Sequence, residues 1–122
     1  MKALFDTNIL VDHLSGIAAA KAEIALYDNK AISIITWMEV QIGADETDQA
    51  AVDRFLDKFT LLPLDARVSA RAVALRRKSR IKLPDAIIWA TALVEDRLLV
   101  TRNVKDFPAE HPGVRIPYSV LH

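Results

Sequence analysis

The chain has no cysteine among its 122 residues, so disulfide bonds and zinc sites built on thiolates are excluded. Its histidines, His13, His111 and His122, are widely separated in the sequence, which argues against a histidine-based zinc site as well. A chain without disulfides fits a reducing compartment, and we expect the cytoplasm.

Long uncharged apolar runs are also missing. Asp6 and Asp12 interrupt the amino-terminal apolar segment, and no run approaches the roughly 20 residues of a membrane span, so we expect no membrane association. The three glycines and five prolines are dispersed, and no linker or repeat divides the chain. The sequence therefore predicts a single domain over residues 1–122, with one core.

A net charge is absent too, because 16 basic residues balance 16 acidic ones, so any site for a polyanion has to be local. Residues 67–82 hold seven basic side chains and no acid, whereas residues 45–58 are mainly acidic. A basic helix is commonly a solvated surface, but it is also suited to follow a phosphate backbone. Both interpretations of the basic segment stay open.

Short apolar runs alternate with segments of helical period. Residues 3–5, 31–35 and 98–100 are predicted strands, and residues 18–27, 36–43, 49–59, 66–77 and 84–95 are predicted helices. Strands that alternate with helices predict an α/β fold with a parallel sheet.

Three carboxylates, Asp6, Glu39 and Asp85, each lie at the polar end of an apolar segment. An ionised carboxylate at the edge of a core costs several kcal/mol or so unless a cation or hydrogen-bond donors compensate it. One divalent ion would compensate all three, and oxygen ligands favour Mg²⁺ or Mn²⁺. We therefore predict that the three acids converge on one metal.

Two of the acids also have a structural alternative, whereas Asp6 is harder to explain without a ligand. Thr36 and Glu39 match a capping box, which explains Glu39 without a metal. Asp85 follows Pro84 and would favour the dipole of a starting helix. Asp6 ends a predicted strand, where α/β proteins bind ligands, and the polar residues after it suit a turn.

Two further polar residues follow the last predicted strand. Asn103 lies in the Thr101-Arg102-Asn103 segment, and Asp106 is just beyond it. Both are candidates for the same cleft, with Asn103 offering a neutral oxygen and Asp106 a full charge. A turn before Phe107 would explain Asp106 equally well.

Three blocks of sequence, FDTNILVDHL, ITWMEVQIG and LPDAIIWATALVEDRLLVTRNVKDF, resemble those of PIN-domain ribonucleases. The chain is most similar to the VapC toxins of bacterial type II toxin–antitoxin pairs, with the blocks in the family order over nearly its whole length. The resemblance implies a mostly parallel five-stranded sheet flanked by helices, a homodimer, and a cognate antitoxin whose carboxyl-terminal segment occupies the cleft.

The resemblance also implies roles for residues. It assigns Asp6, Glu39 and Asp85 to Mg²⁺ or Mn²⁺ binding, with Asn8 and Thr101 supporting them. The fourth position of the family falls in the TRNVKDF block, where we favour Asn103 over Asp106. This departure from an acid leaves the number of metals open.

The leading hypothesis is metal-dependent hydrolysis of RNA phosphodiesters, without a protein nucleophile. The RNA backbone is then expected to contact a set of basic side chains: Arg76, Arg77, Lys78, Arg80 and Lys82. A catalytically impaired scaffold that binds RNA or a partner is the main alternative, and Asn103 supports it. A phosphatase with Asp6 as nucleophile needs a second Asp two positions later, where this chain has Asn8.

Overall fold

The structure, a computed structural model, describes residues 1–120, and His122 therefore lies outside the described residues. Five strands form one sheet in the order β3-β2-β1-β4-β5, and all four pairings are parallel. The predicted α/β fold with a five-stranded sheet is confirmed. The strands are β1 (Lys2–Phe5), β2 (Asn29–Ser33), β3 (Thr60–Leu62), β4 (Leu98–Val100) and β5 (Val114–Arg115).

Six helices cover this part of the chain. They are α1 (Thr7–Leu14), α2 (Ala18–Ala25), α3 (Ile34–Ile42), α4 (Gln49–Leu56), α5 (Ala66–Lys78) and α6 (Leu83–Val94). The helices α5 and α6 pack against each other, and α1 packs against α2 and α3. Within residues 1–120, no helix combines the length and the apolar character needed to cross a membrane.

The central strand β1 is buried on both faces. Ala3 and Phe5 point into one core with α1, α2 and α4, while Leu4 points into the other with α5 and α6. Successive side chains of a strand alternate between faces, so a strand covered on both sides has an uninterrupted apolar sequence. This burial fixes the position of Asp6, which follows β1 directly.

The helix after β1 was not predicted. Thr7 and Asn8 begin α1 instead of forming a turn, and Asp6 is its N-cap. The prediction of a turn was wrong because short polar residues favour turns and helix starts alike. The hydrogen bond by which Asp6 caps the helix identifies this segment as a helix start.

The boundary between β2 and α3 also differs from the prediction. The helix begins at Ile34, and the hydroxyl of its N-cap Ser33 accepts a hydrogen bond from the Ile35 N–H at 3.1 Å. The predicted helix start at residue 36 was therefore wrong, and the capping box of Thr36 and Glu39, which was the structural alternative for Glu39, is excluded. The run AISII is apolar in a strand and in a helix, so its pattern does not show where one ends.

Two short strands at the sheet edges escaped prediction as well. The strands β3 and β5 have three and two residues, and their sequences TLL and VR carry too few positions to show a period. They are placed by pairing with β2 and β4 and not by their own pattern.

Phe5 gives a direct test of the central packing. Its ring meets those of Tyr27 and Phe59 edge to face, with centroids 5.6 and 5.8 Å apart, and it is fully buried. Phe5→Ala should lower the free energy of unfolding by about 3–5 kcal/mol, since it leaves a cavity in the core. Urea unfolding measures this, with Ile42→Ala at an 84% exposed position as the control. Equal effects of the two substitutions would contradict the assignment of Phe5 to the core.

Candidate active site

The candidate site lies at the carboxyl ends of β1 and β4. Asp6 follows β1, and its backbone N–H donates to the Val100 carbonyl at 2.9 Å, which joins the ends of the two strands. Asp6 is 4% exposed. Its Oδ1 accepts from the Thr7 N–H at 2.7 Å, so one carboxylate oxygen caps α1.

The other oxygen of Asp6 is held by two of the predicted supporting residues. Thr101 Oγ1 donates to Asp6 Oδ2 at 2.7 Å, and Asn8 Nδ2 donates to the same oxygen at 3.2 Å. Asn8 Nδ2 also donates to Thr101 Oγ1 at 3.3 Å. The structure therefore brings Asn8 and Thr101 to Asp6, where they fix the orientation of its carboxylate.

Glu39 reaches the same region from α3. The Thr7 hydroxyl donates to Glu39 Oε1 at 2.7 Å and lies 3.0 Å from the hydroxyl of the buried Thr36. Thr7 thus contacts Glu39 through its side chain and Asp6 through its backbone. Neither Thr7 nor Thr36 was predicted as a site residue, and their sequence signals resembled those of a turn and a cap.

Asp85 lies in the first turn of α6, next to Pro84, as the sequence predicted. It is half-buried, and burial is the main cause that raises its pKa above the usual 3.8. The negative charges of Asp106 and Glu39 raise the pKa further, while Lys82 opposes them. Asp85 is therefore close enough to two other acids to respond to their charges.

Asn103 and Asp106 take different positions in the loop after β4. Asn103 Nδ2 donates to Asp106 Oδ2 at 2.9 Å, and its Oδ1 accepts from the backbone N–H groups of Lys105 and Asp106 at 3.2 Å each. The Asn103 amide is thus engaged within its own loop. Asp106 is the residue of the two whose negative charge raises the pKa of Asp85.

Burial and like charges shift the protonation of Asp6 most clearly. Its pKa is raised from 3.8 to about 6, mainly by burial, and the charges of Asp85 and Glu39 contribute in the same direction. The hydrogen bonds from Thr101 and Thr7 oppose this rise. Within residues 1–120, no acid of this group forms an ion pair.

The acids can be compared with the needs of a divalent metal. Their oxygens match the ligands of Mg²⁺ or Mn²⁺, and an ion would relieve the repulsion that raises the pKa of Asp6 and Asp85. Over the described part of the chain, however, no three Asp, Glu or His side chains are arranged as a ready metal cage. The carboxylate oxygens are suitable ligands for a hard ion, but in the described part of the structure they do not surround a common point.

The basic segment lies beside the acids. It spans the last turn of α5 and the connection to α6, and its five predicted RNA-binding side chains are all exposed: Arg76, Arg77, Lys78, Arg80 and Lys82. None of them forms an ion pair with another residue of the described chain. Three basic residues in the last turn also suit the helix dipole, so the structural explanation of this cluster persists.

Comparison with known proteins identifies the class to which this fold and site belong. The PIN domain family matches residues 3–109, which is most of the chain. The chain therefore belongs to the PIN domain family.

Among individual proteins, the chain is similar to Ribonuclease VapC19 of Mycobacterium tuberculosis, with 36% identity over 94% of the chain and 98% of the relative. Ribonuclease VapC10 of the same species is 34% identical over 86% of the chain and 85% of its own length.

Solved structures show the same likeness. A toxin–antitoxin complex from Klebsiella pneumoniae contains a chain that is 45% identical, with a TM-score of 0.89 over 98% of this chain and 100% of that one. VapBC2 from Rickettsia felis, bound to a DNA fragment from its promoter, has 25% identity and a TM-score of 0.79 over 93% and 96% of the two chains.

The raised pKa of Asp6 predicts how stability depends on pH without metal. At pH values between 3.8 and about 6, Asp6 keeps its proton in the folded state and has largely lost it in the unfolded state. The stabilisation is therefore complete below about pH 4 and is lost as pH rises through about 6, a loss of about 3 kcal/mol. Asp6→Asn should remove this dependence.

Urea unfolding in EDTA, at several pH values between about 4 and 7, measures the effect as the wild-type stability minus that of Asp6→Asn. This difference should fall as pH rises. Ile42→Ala, at an 84% exposed position that carries no charge, should give a flat difference and serves as the control. A flat curve for Asp6→Asn as well would contradict the raised pKa.

Proposed function

We propose that this protein is an endoribonuclease that uses Mg²⁺ or Mn²⁺ and acts as the toxin of a toxin–antitoxin pair. The observation that carries the proposal is the group of mutually interacting acids at the carboxyl ends of the strands, where Asp6 and Asp85 have raised pKa values and no ion pair within the described chain. The similarity to the VapC ribonucleases supports the choice of RNA as substrate.

Asp6, Glu39 and Asp85 would hold the metal, as the sequence predicted. For the fourth position we now favour Asp106 over Asn103, because Asp106 acts on Asp85 while the Asn103 amide holds Asp106 in place. Asn103 then has a supporting role. One or two ions fit this assignment equally well.

The chain's own residues prepare the site for hydrolysis. Thr101 and Asn8 fix the carboxylate of Asp6, and Thr7 fixes that of Glu39. A bound divalent ion supplies Lewis acidity, which lowers the pKa of a water and stabilises charge on the departing oxygen. No side chain is needed as a nucleophile.

A groove next to Glu39 supports an antitoxin partner. It has a volume of about 410 Å³ and is lined mainly by apolar residues of α1, α3 and α4, including Val11, Leu14, Val40 and Val52. An apolar groove beside the acids suits a protein segment that would block access to them. The similar chain in the Klebsiella pneumoniae complex supports the same assignment. The homodimer and the cytoplasmic location stay predictions.

The scaffold hypothesis remains the second candidate, and the lack of a ready metal cage in residues 1–120 favours it. The phosphatase hypothesis is weaker, because such an enzyme needs a second Asp two positions after its nucleophile, where this chain has Asn8, which donates a hydrogen bond to Asp6. Metal-linked thermal stabilisation separates an enzyme from a scaffold, since only a real site is stabilised by the ion.

Cleavage of total RNA by the purified protein, with Mg²⁺, Mn²⁺ or EDTA, tests the function. Asp6→Asn and Asp85→Asn should stay folded and lose cleavage, and Asp106→Asn should lower it by about 10–100-fold. Asp28→Asn removes an exposed acid at the other end of the sheet and should cleave normally.

Cleavage that persists in EDTA would exclude metal dependence. If Asn103→Ala abolished cleavage while Asp106→Asn kept it, the order of these two residues would be reversed. Absence of both cleavage and metal-linked stabilisation in the wild type would favour the scaffold.

The basic segment predicts a salt effect. Replacing Arg76, Arg77 and Lys78 by Gln should weaken RNA binding and flatten its salt dependence, by about 0.7 in the logarithmic slope for each lost phosphate contact. Binding is measured with the inactive Asp6→Asn protein. A Lys21→Gln, Lys58→Gln variant is the control, since both lysines are exposed and lie near His13, on another face. An unchanged slope in the triple variant would exclude these contacts.

A further inference from the structure

A second charged cluster lies beside the candidate site, and its side chains are not among the proposed metal ligands. Asp12 of α1 is 4% exposed, and the Arg102 guanidinium donates to both its oxygens, from Nε at 2.6 Å and from Nη2 at 3.0 Å. The Tyr118 hydroxyl donates to Asp12 Oδ2 at 2.8 Å. We call the two-bond contact between Arg102 and Asp12 the Arg102 fork.

Arg102 stands between two residues that act on the acids. On one side Thr101 donates to Asp6, and on the other Asn103 donates to Asp106. The Arg102 backbone N–H also donates to Asn8 Oδ1 at 3.4 Å. The loop from Thr101 to Asp106 is therefore joined to α1 at Asn8 and at the Arg102 fork, and of these contacts the fork is the one made by a pair of opposite charges.

We propose that the Arg102 fork positions the metal ligands: it fixes the loop in which Thr101 orients the carboxylate of Asp6 and Asn103 holds that of Asp106. This inference rests on the proposed metal-dependent function. Arg102 and Asp12 are positioning residues and touch neither metal nor RNA. Tyr118 extends the same anchor to the carboxyl-terminal segment of the described chain.

The chemistry of the fork suits such a role. A planar guanidinium that makes two bonds to one carboxylate restricts orientation as well as distance, which a lysine cannot do. Replacing a residue that hydrogen-bonds to a metal ligand, or orients it, commonly lowers metal affinity or activity by about 10–100-fold.

The same chain contains a matched arrangement for comparison. Glu23 of α2 is 5% exposed and accepts from Arg115 Nε at 2.6 Å, from Arg115 Nη2 at 2.9 Å and from the Tyr27 hydroxyl at 2.9 Å. The pKa of Arg115 is raised mainly by Glu23, whereas the pKa of Arg102 is raised mainly by Asp12 and to a lesser extent by Asp6. Arg115 is thus an equivalent fork whose charge is not coupled to the candidate site.

Charge alone would have the opposite effect on metal affinity. Arg102 is a cation near Asp6, so its removal should strengthen the binding of another cation if only its field mattered. A positioning role predicts weaker binding instead. Arg102→Lys separates the two, because it keeps the charge and loses the fork.

The test is a calorimetric titration of the purified full chain with Mn²⁺ or Mg²⁺ below the unfolding temperature. It measures the affinity for the metal. Arg102→Gln and Arg102→Lys should both weaken metal binding by about 10–100-fold, and Arg115→Gln should leave it unchanged. Tyr118→Phe keeps both charges and removes one hydrogen bond, so it should act in the same direction with a smaller change. This variant decides the question if the Arg102 variants do not fold.

RNA cleavage adds a kinetic measurement. At saturating metal, Arg102→Lys should lower kcat with little change in the KM for RNA, because the loop places the ligands and does not bind the substrate. Equal loss of metal affinity in the Arg102 and Arg115 variants would reduce the fork to a structural contact and overturn the inference. Tighter binding in Arg102→Gln would also overturn it. A wild-type protein that binds no metal would overturn the proposed function and this inference together.

Discussion

The rest of the site depends on how Asp6 is held. Its position after the doubly buried strand β1 takes it out of water, which disfavours its charge, while the donors from Thr7, Asn8 and Thr101 partly restore what water would supply. Burial is the larger effect, and Asp85 and Glu39 add to it with their own charges. The proposed cation would offset the repulsion among all three acids.

Much of this arrangement could be predicted from sequence, and the reasons differ between residues. Asp6, Glu39 and Asp85 could be selected as candidates because each is a carboxylate at the polar end of an apolar segment. Asp6 follows the strand β1, where α/β proteins bind ligands, whereas Glu39 and Asp85 lie on the helices α3 and α6. The helix α1 was missed because polar residues after a strand fit either a turn or a helix cap. The start of α3 was missed because the apolar run AISII fits a strand and a helix alike. The pairing of Arg102 with Asp12 was not predictable, since no local pattern connects residues 90 positions apart.

The choice between Asn103 and Asp106 shows the same limit within one loop. In the sequence both follow β4 closely, and either can supply an oxygen. The structure separates them through hydrogen bonds that depend on the turn itself: the Asn103 oxygen accepts from two backbone N–H groups, and its amide holds Asp106. The same polar residue types hydrogen-bond within a loop and contact ligands from it, so the sequence does not distinguish the two roles.

Asp6 is at once a member of the acidic group and the N-cap of α1. Asparagine caps a helix about as well as aspartate, and the codons of the two amino acids differ by a single base. One transition in the gene would therefore give a protein that keeps the start of α1 and lacks the charge. A single base change thus leads to a folded protein with Asn in place of Asp6. Such a protein would still present the groove beside Glu39.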